Sequence, residues 1–300
     1  MKKRWKIFWI VCAVLTAAGI ILAAAGTALG GLTMLRSEND ETFVESVLDS
    51  LGIRGRTTVT YQSDPDDLPE LSEDGGSKDY GYVPDTPDGE LVTAYDGISE
   101  LNLDLGGLGV CIIPYDGDQI IVDISRLRAD LRNDVNIEQN GGELELKAAT
   151  RKWNTNGGSI AYISVPRGIL FESIAADVKA GLLEMADIEV NELSVKVGAG
   201  QIVAESVSAE SLEADCGAGQ ITFSGDITLG ADINCDVGEV LFTTPGTVDD
   251  YDYELSCSLG EITLGERAYS GFSNKVNIDN ESGRLIKAEC DMGSIKIMFE

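Results

Sequence analysis

The sequence predicts an all-β fold, read as a parallel β-solenoid of rungs about 19 residues long, preceded by one N-terminal transmembrane helix. Three observations carry this reading. An uncharged run of 29 residues extends from Ile7 to Leu35, apolar residues alternate at every second position through much of 98–300, and glycines return at a spacing of 19. An antiparallel β meander is the alternative, because hairpins produce the same alternation.

The apolar run comes first. About 20 apolar residues suffice to cross a bilayer as a helix. The run follows Lys2, Lys3, Arg4 and Lys6, and clustered positive charge stays on the cytoplasmic side. Residues 1–36 are therefore expected to be a cytoplasmic basic tip and a single membrane pass through residues 7–35, with the C-terminal domain extracytoplasmic. A cleaved signal peptide would use an apolar segment of about 7–15 residues, shorter than this one, although Ala23-Ala24-Ala25 would suit a peptidase. Gly26 and Gly30 have the small-xxx-small spacing that lets membrane helices pack.

Charge is divided unevenly. Of 22 basic residues, five lie in 1–36, so the remainder carries 17 against 51 acids, a net −34. Such a surface repels nucleic acid and anionic lipid, which excludes nucleic acid as a partner. The chain has no histidine, removing the commonest general base and the commonest zinc ligand.

Residues 37–95 read as an acidic, largely disordered linker. Phe43, Val44, Val47, Leu48 and Leu51 form one helical stripe ahead of Gly52, predicting a short amphipathic helix. Residues 62–90 combine proline, glycine and acid with little to bury, which favours a self-repelling extended chain. Asp64, Asp66 and Asp67 lack the glycine and closing glutamate of an EF-hand loop and read as solvated charge.

The repeat domain spans 96–300. Short strands are predicted at Ile98–Leu105, Val110–Pro114, Gln119–Ile124, Glu143–Lys147 and Ile160–Val165. From Ile174 onward Gly181, Gly200, Gly219, Gly238, Gly260 and Gly293 act as anchors. Three residues before them stand Val178, Val197, Cys216, Cys235, Cys257 and Cys290. The positions five and seven before, and two and four after, are apolar in all six repeats, in a chain that is 43% apolar. Spacing by two within each block is strand alternation with one buried face. A glycine between two such strands marks a corner that needs positive φ or close backbone approach. One rung cannot bury its own face, so neighbouring rungs must supply the core. The 33-residue final gap is expected to hold a loop or irregular rung around Tyr269–Asn280.

Four of the six cysteines share one repeat position and read as an inward ladder of small hydrophobes. Stacking in sequence order would bring Cys216, Cys235 and Cys257 together. It would also set Glu239 beside Glu261, an unfavourable pair unless a cation or solvent intervenes. No CxxC pair, nucleophile elbow or phosphate loop is present. No catalytic, cofactor or metal residue is assigned, and no cofactor is expected.

The opening strand pair Ile98-Ser-Glu-Leu-Asn-Leu-Asp-Leu and Val110-Cys-Ile-Ile, the strand ending Tyr162-Ile-Ser-Val-Pro166, and the iterated apolar-x-apolar-x-x-Gly-x-apolar rungs resemble a bacterial family of putative adhesins. That family has β-strand repeats, a membrane-anchored start and a domain of unknown function. The resemblance covers about residues 95–300, with Gly106-Gly107-Leu108-Gly109 departing from the glycine pattern. It implies a surface-exposed, non-enzymatic binding module whose partner is a protein or glycan at the cell surface. A cis-acting scaffold or regulator of envelope stress responses is the alternative. A carbohydrate-active β-helix enzyme is the remaining reading, disfavoured because basic residues are scattered singly.

Overall fold

The computed structural model describes residues 82–149, 160–270 and 274–300. The expected membrane segment, the amphipathic helix and most of the linker lie outside them. Among the described residues no helix is long and apolar enough to cross a membrane.

The fold is all-β: among the described residues 19 strands join in one sheet, with one four-residue α-helix, Ala129–Arg132, and one 3-10 turn, Val248–Asp250. Its unit is a pair of strands meeting at the glycine corner. The strands before the corner form a first ladder and those after it a second. Both ladders run in the same stacking order: β6 (Glu143–Ala148) with β7 (Ile160–Pro166), then β2 (Glu100–Leu105) with β3 (Gly109–Tyr115), then β8 (Leu170–Val178) with β9 (Leu182–Ala186). Next come β10 (Glu189–Val197) with the start of β11 (Gln201–Cys216), the end of β11 with the start of β12 (Gln220–Cys235), and the end of β12 with β13 (Glu239–Thr244). The last two are β18 (Leu285–Cys290) with β19 (Ser294–Phe299), then β14 (Asp252–Cys257) with β15 (Glu261–Leu264).

Every rung-to-rung pairing is parallel, which removes the meander as the arrangement of the repeats. Val178, Val197, Cys216 and Cys235 are successive Cα partners, each 19 residues on from the last. Antiparallel strands cover the ends instead. At one end β5 (Val135–Asn140) pairs β6, and β4 (Ile120–Asp123) joins β7 to β1 (Val92–Tyr95). At the other, β16 (Arg267–Ser270) pairs β15 and β17 (Asn274–Ile278) pairs β14. The expected irregular segment around Tyr269–Asn280 is thus largely this pair of covering strands.

The stack departs from sequence order at both ends. The 100–115 rung sits one place in from its end, outside which the 143–166 rung is laid. The 285–299 rung slots between those of Cys235 and Cys257. Sequence alone could not order them, because every rung presents the same apolar frame. Two expectations change as a result. Glu239 and Glu261 are not neighbours, since each faces Ser294, and Lys296 Nζ reaches Glu239 Oε1 at 3.2 Å. The cysteine order is 216, 235, 290, 257.

Inward residues of both ladders form one buried cluster, including the stacked rings of Phe223 and Phe242 at 5.2 Å. Burying each such side chain contributes about 1.5–3 kcal/mol. The anchor glycines are explained by close approach, since none of them has positive φ. A Cβ at Gly219 would collide with the carbonyl oxygen of Gly200, and would lie 2.9 Å from Val197 Cγ2. Leu108 holds the corresponding place in the 100–115 rung, with its own carbonyl against Gly181.

Candidate binding cleft

About half of the outward residues of the first ladder are carboxylates, with lysines interleaved. Lys179 pairs with Asp104, Lys287 lies 3.1 Å from Asp232, and Lys147 lies 2.6 Å from Glu145. Those lysines, scattered singly along the chain, are thus each set beside an acid. The second ladder's outer face is less charged. Gln201 donates to Gln220 at 3.3 Å, and Gln220 donates to Glu239 at 3.4 Å.

Chemistry-bearing groups converge where β4 pairs with β7. Asp123 ends β4 and is fully buried. Its Oδ1 accepts the Ser125 N–H at 2.7 Å, and its Oδ2 accepts the Tyr82 hydroxyl at 2.6 Å. Burial alone would raise the Asp123 carboxyl, but these hydrogen bonds and the Arg126 charge hold it below the usual range. The Tyr82 hydroxyl is pushed up, first by burial and then by its bond to that carboxylate. The Tyr82 ring lies flat on Tyr162, centroids 3.9 Å apart and planes 3° from parallel. The Arg126 guanidinium carbon is 4.8 Å from the Tyr82 centroid and 5.4 Å from that of Tyr162. Stacking of this kind is worth about 0.5–1.5 kcal/mol, and the cation adds about 0.5–1 kcal/mol at an exposed site.

Tyr82 pins the segment that follows it. Tyr82–Pro87 forms one wall of a cleft of about 470 Å³, whose opposite wall is Pro114, Tyr115 and Ile121. Arg167 and Asp116 close the rim, Nε to Oδ1 at 2.8 Å. Val83 is 80% exposed, so an apolar group stands free beside the aromatic ones. The arrangement offers ring faces, prolines and a charged rim, which suit binding. The nearest thiol, Cys111, is the in-register partner of Tyr162. Burial, then Glu184, pushes it up to about 12, so it stays protonated and is a poor nucleophile.

The six anchor glycines and four ladder cysteines are brought together along the stack, but none of them lies at this cleft. Sequence reasoning placed Tyr82–Pro87 in the linker. The signal that would have found it is Tyr80-Gly-Tyr82-Val-Pro, aromatic residues inside a stretch otherwise acidic and polar.

A sheet of parallel rungs with antiparallel covers and a cleft at one end defines an all-β repeat protein. The chain belongs to the Toastrack DUF4097 family, whose model matches residues 98–297. No curated protein matches it. Among solved structures it is similar to a putative cell adhesion protein from Clostridium sporogenes, 15% identical over 70% of this chain and 98% of that one, TM-score 0.40. It is also similar to a putative adhesin from Bacteroides fragilis, 12% identical over 70% and 95%, TM-score 0.37. A third is a putative adhesin from Parabacteroides distasonis, 13% identical over 69% and 94%, TM-score 0.34.

Proposed function

We propose that the chain is a non-enzymatic binding module: a parallel β-solenoid held outside the cell membrane by the helix of residues 7–35, with residues 37–81 as an acidic spacer. The observation that carries this reading is the cleft. Its Tyr82 ring is held by stacking and a hydrogen bond and its Arg167 by an ion pair, and the neighbouring groups behind it best suited to proton or acyl transfer are engaged or protonated. Asp123 is occupied by two hydrogen bonds, and Cys111 has its proton held on. The ligand is a protein or glycan of the cell surface that docks between Tyr82–Pro87 and Tyr115.

The test is capture by the full chain, solubilised and immobilised, from native membranes, cell-wall material and host-surface material. Capture that is saturable, leaves the ligand intact, and falls at least tenfold with Tyr82→Ala and with Arg167→Glu supports the proposal. Capture unchanged by both substitutions would place the ligand elsewhere, and cleavage of a captured glycan would make the protein an enzyme.

A further inference from the structure

Four sulfurs stand in single file inside the stack, away from the cleft. Cys216, Cys235, Cys290 and Cys257 are Cα partners in successive rungs. All four are free thiols and at most 2% exposed. Three of them donate to the carbonyl oxygen of their own corner glycine, Cys216 to Gly219 at 3.2 Å, Cys235 to Gly238 at 3.1 Å and Cys257 to Gly260 at 2.9 Å. The Sγ of Cys216 lies 2.5 Å from where a Cβ on Gly238 would stand, that of Cys235 2.6 Å from Gly293, and that of Cys290 2.5 Å from Gly260. The thiols therefore sit directly under corners that carry no side chain. Valine fills the same position at Val178 and Val197, so packing by itself does not require sulfur.

Magnitudes separate three chemistries. A disulfide needs Cβ atoms about 3.5–4.5 Å apart, whereas paired strands lie about 4.8 Å apart, so two rungs would have to converge. Zinc needs three or four ligands, with thiolates about 2.3 Å from one point. In single file a third sulfur stands about 7 Å from the midpoint of a neighbouring pair. Among the described residues no three cysteine, aspartate or glutamate side chains gather as a metal cage. A two-coordinate ion between two sulfurs needs them roughly 4.5 Å apart, close to the rung spacing. Soft thiolates select Cu(I) among biological cations.

We propose that the cysteine ladder is a binding site for thiophilic monovalent cations of the copper(I) and silver(I) class, each held between thiols of adjacent rungs. Two ions fill it, one between Cys216 and Cys235 and one between Cys290 and Cys257. The ion replaces the proton of one thiol to form a sulfur–metal bond, and the neighbouring thiol keeps its proton and donates a lone pair. One proton leaves per ion, nothing is oxidised or reduced, and the buried complex stays neutral, as an apolar core requires. Entry is from the outermost rung. Among the described residues β17 alone pairs outside Cys257 on the first ladder, and end strands open most readily.

The test titrates the reduced full chain, in a Cys12→Ala/Cys111→Ala background, with silver nitrate and with copper(I) in acetonitrile. Native mass spectrometry after gel filtration reads the stoichiometry. Two retained ions, one proton released per ion and an absorption-edge signature of two sulfur neighbours are expected. Cys235→Val/Cys290→Val should lower affinity at least 100-fold with the fold intact, following the native valines. If that variant does not fold, Cys216→Val/Cys257→Val keeps the middle pair and should retain one ion. No retained ion, equal retention in the valine variants, or three or more sulfur neighbours would overturn the proposal.

Discussion

The two ends of the stack solve the same problem differently. At the end holding Cys257, successive corners are Gly238, Gly293 and Gly260, each closing on the carbonyl oxygen of the corner before it. The outer surface there is a plain ridge of Val237, Met292 and Leu259. At the other end Leu108 stands at the anchor place, the outermost rung is the 143–166 one laid outside sequence order, and covering strands β4 and β1 bring in Tyr82. Strict repetition leaves no room for a concave site, because every side chain is matched by its neighbour 4.8 Å or so away. The cleft forms where repetition lapses.

That contrast can be broken by substitution. The largest effect is expected from Gly219→Val in the regular part. The colliding atom is backbone and cannot turn aside, so the loss should reach about 3 kcal/mol or more, read as a fall of about 10 °C in melting temperature. An unchanged melting temperature would refute the corner assignment. Gly141→Ala, at a φ of +66° with open space around its Cβ position, should cost only about 1 kcal/mol.

At the cleft end, Tyr82→Phe removes one of two partners of a buried carboxylate and should cost about 1–3 kcal/mol of local stability. Amide exchange at Ser125 would report it. The same bond has a pH signature. Because folding lowers the Asp123 pKa, its contribution is complete above the unfolded value of about 3.9 and is lost as pH falls through the folded value. Tyr82→Phe should move that loss to higher pH, detectable by carboxyl NMR. An identical acid profile would mean that Tyr82 does not hold Asp123.

Smaller effects sharpen the stacking order. Ser294→Glu would set three carboxylates in consecutive rungs, costing about 0.5–1 kcal/mol and making the melting temperature rise with salt. A salt-independent melt would restore the sequence-ordered stack. Lys296→Met, removing the partner of Glu239, should change stability by no more than about 0.5 kcal/mol.

Sequence alternation revealed the strands that face the core. Predicted Ile98–Leu105, Val110–Pro114 and Glu143–Lys147 lie within two residues of β2, β3 and β6. It did not reveal β5, whose side chains are mostly exposed and so show no apolar stripe. Nor could it order the rungs, since register between identical frames is set by connections and covering strands. The cleft was hidden for a related reason. Tyr82 gains its meaning from Asp123 and Tyr162, 41 and 80 positions away, and no local pattern encodes such a meeting.

The slotted position of residues 285–299 bears on how the molecule is made. Translation delivers the Cys235 rung and then the Cys257 rung before the rung that separates them exists. Growing chains fold from their N-terminal side, so the edge of the Cys235 rung stays unpaired until residues 285–299 arrive. A ribosome that stalls, or a message cut short before codon 285, would release a chain with that edge exposed. Such edges recruit strands from other molecules, making complete synthesis a condition for solubility as well as for structure.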